Sequence, residues 1–76
     1  MSETGRDMAV LRDARKSSLM TQSDLAKKLG RSTATIVEWE KRPDQVSLTT
    51  LRDYYNLCGT DARVWIKEFV DSFFVA

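Results

Sequence analysis

Residues 21–40 constrain this chain more than any other stretch. They read Thr-Gln-Ser-Asp-Leu-Ala-Lys-Lys-Leu-Gly-Arg-Ser-Thr-Ala-Thr-Ile-Val-Glu-Trp-Glu. Apolar side chains recur at helical spacing on both sides of one glycine: Leu25, Ala26 and Leu29 before Gly30, then Ile36 and Trp39 after it. Thr21 with Asp24 is a capping-box variant, with Asp in place of Glu, and its carboxylate suits the positive end of a helix dipole. Gly30 stands where a helix ends in a left-handed residue. Ser32 is placed to cap the next helix. The expectation is two short helices joined by a tight turn, with Ser32, Thr33 and Ala34 left on the surface.

The same reading extends along the chain. Residues 1 to 6 are polar and are expected to fray. A first helix is expected from about Asp7 to Ser18, with Met8, Leu11, Arg15 and Ser18 on one face and Ala14 beside them. Arg15 is an unusual charge on that stripe. The third helix runs from Ser32 to about Lys41. Arg42-Pro43-Asp44-Gln45 reads as a loop, because Pro43 disfavours helix at the residue before it. Ser47 caps a fourth helix to about Cys58, with Leu48, Leu51, Tyr55 and Cys58 on its apolar face and Tyr54 adjacent. Gly59 stops it, and Thr60 or Asp61 caps a fifth helix. No strand signal, repeat or interior linker interrupts the pattern, so residues 1–76 read as one all-α, five-helix domain.

Seventy-six residues suffice for one small core. At this size oligomerisation is a common way to add buried area. Net charge is only +1, but Lys27, Lys28, Arg31, Lys41 and Arg42 flank the central motif, while Asp53, Asp61, Glu68 and Asp71 lie toward the C-terminus. The sequence contains no histidine and a single cysteine, Cys58. That excludes an internal disulfide, the usual zinc-ligand sets and Ser-His-Asp or Cys-His catalysis. No metal, cofactor or enzymatic role is expected. No apolar run reaches the roughly 20 residues that cross a bilayer, and the N-terminus lacks a signal-peptide pattern. These features point to the cytoplasm of a bacterial host cell.

Docking of a helix-turn-helix on DNA makes three demands that residues 21–40 meet. The first helix braces against the backbone while the second lies in the major groove. Ala26 is small enough for close helix packing, Gly30 makes the turn, and Ile36 anchors the second helix. The wider pattern is Leu11-Arg12-x-x-Arg15, Met20-Thr21-Gln22-x-x-Leu25-Ala26-x-x-Leu29-Gly30 and Ser32-x-x-x-Ile36-x-x-Trp39-Glu40. It closely resembles the phage Cro and C1 repressor type of helix-turn-helix, the XRE family, over about residues 8 to 59. The resemblance implies a lambda-repressor-like fold and assigns roles. Gln22 touches phosphate and braces the recognition helix. Ser32, at a helix N-terminus that favours anions, and Thr35 lie against phosphate, and Thr33, Ala34 and Glu38 meet base edges. Arg15 and Glu40 form a partly buried ion pair.

The side-chain chemistry supports a modest direct reader. Thr33 and Ala34 offer methyl groups to thymine, the Thr33 hydroxyl bonds a donor or an acceptor, and Glu38 accepts from cytosine N4. Val37 adds an apolar contact. No Arg, Gln or Asn occupies the three base-facing positions, which puts weight on DNA shape with assistance from Arg31. Arg31, Lys41 and Arg42 are the candidate phosphate-contacting cations.

The fifth helix carries more apolar residues than one face can hold: Val64, Trp65, Ile66, Phe69, Val70, Phe73, Phe74 and Val75. One side is expected against the first and fourth helices. The other, with Trp65, Phe69, Phe73 and Phe74, is expected to pair two copies. The combined expectation is a homodimeric transcriptional regulator, a repressor acting on a palindromic double-stranded DNA operator. The alternative is a protein-interaction module on the same scaffold, such as an antirepressor or anti-activator.

Overall fold

Hydroxyl caps set three of the helix starts in the computed structural model, which describes residues 8–74. The backbone N–H of Asp24 donates to Thr21 Oγ1, that of Thr35 to Ser32 Oγ and that of Thr50 to Ser47 Oγ, at 3.0–3.2 Å. Thr21 also donates its own N–H to Asp24 Oδ2 at 3.0 Å, which completes the capping box. Helices α2 (Gln22–Leu29), α3 (Thr33–Lys41) and α4 (Leu48–Leu57) follow these caps. Helix α1 (Val10–Ser17) precedes them and α5 (Thr60–Asp71) follows. A single 3-10 turn, Pro43–Gln45, occupies the expected loop between α3 and α4, with Pro43 buried. No strand occurs among the described residues.

Several expected boundaries shift. Helix α1 begins at Val10, with Met8 and Ala9 in a turn; Asp7, residues 1 to 6 and Val75 lie outside the described residues. Val10 is buried and Met8 is 46% exposed, so the buried face of α1 is Val10, Leu11, Ala14 and Arg15. Helix α5 is capped by neither Thr60 nor Asp61. Gly59 is its N-cap, Thr60 is its first helical residue, and the Arg63 N–H closes the first turn on Gly59 O at 3.0 Å. Gly59 is anchored to the end of α1 by its N–H to Ser18 Oγ, 3.1 Å.

The core takes residues from all five helices: Leu11 and Ala14, Leu25 and Ala26, Ile36, Leu51 and Tyr54, and Ala62, Ile66 and Phe69. Helix α5 packs across α1 and α4, and α2 packs on α3. Full burial of Leu25 or Ile36 is worth about 1.5–3 kcal/mol each, against about 1 kcal/mol for one cap, so packing holds the helix pair and the caps trim its ends. Tyr54, not Tyr55, fills the core from α4, and Leu48 is 59% exposed. Positions 54 and 55 both lie at helical spacing from Leu51 and Cys58. Trp39, whose ring meets Tyr54 edge-on at 6.2 Å, selects the former.

Phe69 also departs from expectation. It is 1% exposed and belongs to the core, so it has no area to offer a second copy. Trp65, Phe73 and Phe74 remain exposed, with Val64 beside them.

Candidate nucleic-acid interface

The turn between α2 and α3 is built from backbone bonds. Gly30, at φ +68°, lets its own N–H reach Lys27 O at 3.3 Å and the Arg31 N–H reach Ala26 O at 2.9 Å. A residue with a Cβ is strained in this conformation. The chain then leaves α2 and enters α3 at Ser32. Ser32 Oγ and Thr35 Oγ1 lie 3.0 Å apart, so the two hydroxyls share a hydrogen bond at the start of α3. The first turn of α3 contains no acidic residue. Its positive dipole end and free N–H groups therefore favour an anion.

A buried charge cluster holds α3 against the two helices before it. Arg15 Nε donates to Glu40 Oε2 at 2.6 Å and Arg15 Nη2 to Glu40 Oε1 at 3.2 Å. Arg15 Nη1 donates to Met20 O at 3.1 Å, and Gln22 Nε2 donates to Glu40 Oε1 at 3.1 Å. The two charged side chains are 9% and 6% exposed. One carboxylate thus ties α1, the start of α2 and the end of α3 into a unit. Gln22 spends one of its amide hydrogens on this brace.

The outer surface of α3 carries the residues singled out from the sequence. Ser32, Thr33, Ala34, Glu38, Lys41 and Arg42 are exposed, and Thr35 and Val37 are half-buried. Val37 and Lys41 border a depression shared with Arg12 of α1 and Gln22 of α2. Glu38 and Arg42 border another on the opposite flank, with Trp39. The crest between them is Ala34, Glu38 and Lys41. Lys41 Nζ lies 4.0 Å from Glu38 Oε2, close enough to offset the carboxylate on an otherwise cationic surface. Lys27 and Lys28 are also exposed, on α2.

Three features of this region were not read from the sequence. Arg12 borders the interface from α1; its pairing with Arg15 in the first motif could have drawn notice to it. Arg31 lies over the Trp39 ring, with Cζ 5.9 Å from the centroid. Tyr54 Oη is buried without a hydrogen-bond partner among the described residues. Burial, and then the Glu40 charge, push its phenol well above the ordinary range.

Among the described residues no cluster of His, Cys, Asp or Glu could hold a metal ion. No helix there is long and apolar enough to cross a membrane. A family model described as helix-turn-helix matches residues 11–65, whereas no curated protein and no solved structure matches the chain. The matched region extends into α5, past residue 59 where the motif in the sequence ends. With most of the chain matched, and with the turn and the braced α3 in place, the protein belongs to the Cro/C1-type (XRE) helix-turn-helix family of DNA-binding transcription regulators.

Proposed function

We propose that this regulator is a homodimeric repressor that occupies a palindromic operator through α3 and blocks access of polymerase to it. The observation that carries the reading is the division of apolar residues on α5 and the turn that follows it. Ala62, Ile66 and Phe69 are buried against α1 and α4, yet Trp65 stays 40% and Phe74 71% exposed. Phe74 borders an apolar depression with Phe73 and the exposed Leu48, and exposed apolar patches mark interfaces. One chain offers one recognition helix, so one chain reads one half-site. Two copies would place their α3 helices about 34 Å apart, on successive major grooves.

In this reading Thr33, Ala34, Val37 and Glu38 face base edges. Gln22, Arg31, Ser32, Thr35, Lys41 and Arg42 face phosphate. Thymine methyl contacts and Glu38 then carry direct readout, and DNA shape carries the rest.

The test couples site selection with hydrodynamics. Sites recovered from a random duplex pool should be palindromic, and the protein should sediment as a dimer. Phe74→Glu should give monomers that keep their helix content, because Phe74 is largely outside the core. Phe73→Glu is a poorer probe, since the Phe73 ring packs edge-on against buried Phe69 at 5.1 Å. A dimer that persists in Trp65→Glu/Phe74→Glu moves the interface elsewhere. Non-palindromic sites bound by a monomer overturn the proposal.

A further inference from the structure

Arg31 is held at two points before any ligand arrives. Its backbone N–H is fixed to Ala26 O in the turn, 2.9 Å. Its guanidinium lies over the Trp39 indole, 5.9 Å from the ring centroid, within the range of cation–π attraction. The indole is itself supported from beneath, because Trp39 meets the fully buried Tyr54 ring edge-on at 6.2 Å. Trp39 cannot turn inward without displacing Tyr54. One face of it is left to carry an exposed arginine.

The direction of that side chain matters. Thr35 and Trp39 share one flank of α3 at helical spacing, and Arg42, just past the end of the helix, borders the same depression as Trp39. With its guanidinium over the Trp39 ring, Arg31 lies along this flank, where Glu38 also borders the depression. The guanidinium therefore lies beside the groove-facing surface rather than on it. Arg42 is exposed on the same flank, and Thr35 supplies a hydroxyl. Two cations and a hydroxyl on one side of a recognition helix match the anionic backbone of one DNA strand.

We propose that Trp39 is a positioning residue for DNA binding: its indole holds the Arg31 guanidinium on the α3 flank, where Arg31 and Arg42 take the phosphates of one strand. The inference rests on docking of α3 in the major groove, and it goes beyond that by giving a core-supported aromatic a role in affinity. An unrestrained arginine would lose its rotamer freedom on binding. Here much of that ordering is complete in the free protein.

The test is a double-mutant cycle on a mixed-sequence duplex at low ionic strength, with helix content confirmed for each variant. Trp39→Leu should weaken binding about 2- to 12-fold, the range set by ordering one rotamer-rich side chain. In the Arg31→Ala background the same change should have no further effect. Trp39→Phe, which keeps a ring face, should restore most of the loss. Arg31→Ala should also lower the slope of log affinity against log salt by about 0.9, one phosphate contact. In the free protein, Arg31 δ-proton resonances should carry an indole ring-current shift that Trp39→Leu removes; this arm does not depend on DNA. Equal losses from Trp39→Leu in both backgrounds overturn the proposal, as does an Arg31→Ala variant with altered base preference and an unchanged salt slope. A wild-type protein that fails to bind any duplex would instead overturn the docking itself.

Discussion

Replacing Arg15 with methionine removes the guanidinium and keeps most of the apolar stem. Glu40, 6% exposed, would then retain one neutral donor, Gln22 Nε2, in place of the three hydrogen bonds it accepts now. Met20 O would lose its donor as well. Breaking a buried ion pair on one side costs about 3–5 kcal/mol, because the remaining charge is stranded. A domain of this size has about 4–11 kcal/mol of total stability. The loss is thus between about a quarter of the stability and all of it, and the melting temperature should fall by at least about 12 °C. The companion variant decides the mechanism. Arg15→Met/Glu40→Leu strands no charge, and replacing a buried pair by apolar groups is often neutral or better. The double variant should therefore be more stable than Arg15→Met alone. Urea unfolding followed by far-ultraviolet circular dichroism measures both. A cost below about 1 kcal/mol for Arg15→Met, the scale of an exposed pair, would refute the reasoning. So would a double variant less stable than either single one.

Other outcomes follow from single residues. Tyr54→Phe should leave stability unchanged or raise it, because a buried hydroxyl without a partner costs about 1–3 kcal/mol; a fall in melting temperature would show that the hydroxyl is engaged. Leu19 sits at φ +61° with its side chain 92% exposed, so Leu19→Gly relieves left-handed strain without removing packing. The relief of about 1–2 kcal/mol, less about 0.5–1 for the more flexible unfolded glycine, predicts a gain of up to about 1.5 kcal/mol in thermal unfolding. The Thr21 backbone N–H, and then its hydroxyl, hold the Asp24 carboxyl below the usual carboxylate range. A depressed folded pKa gives stability that is complete above the unfolded value, about 3.9, and lost as pH falls through the folded one. Melting temperature should decline more steeply below about pH 4 in wild type than in Asp24→Asn, and identical slopes would exclude the cap as the cause.

Legibility tracked the range of the interaction. The capping box at Thr21, the left-handed Gly30 and the Ser32 and Ser47 caps depend on residues within one turn, and residue type at fixed spacing reveals them. Ile36 and Leu25 were legible because periodicity marks an inward face. The Gly59 cap was missed for a long-range reason. Ser18, far away in the chain, binds the Gly59 N–H and shifts the start of α5 by one residue from Thr60. Leu19 gave no signal at all, since a bulky residue at positive φ runs against local preference.

What residues 21–40 determined by themselves was a pair of short helices and the side chains on their outer surface. Caps, a turn glycine and apolar periodicity are local, so no neighbour has to be known. Tertiary structure made the choices among equivalent positions. Tyr54 and Tyr55 both lie at helical spacing from Leu51 and Cys58, and only the packing of Trp39 and its surroundings placed Tyr54 inside. Phe69 and Phe74 are alike in composition, but contact with α1 and α4 buried one and left the other exposed. The Arg31–Trp39 contact likewise required the turn to be folded back along α3, which brings a cation onto a ring eight positions away. Local spacing sets which elements form; shared space between elements decides which of their faces remain free to bind.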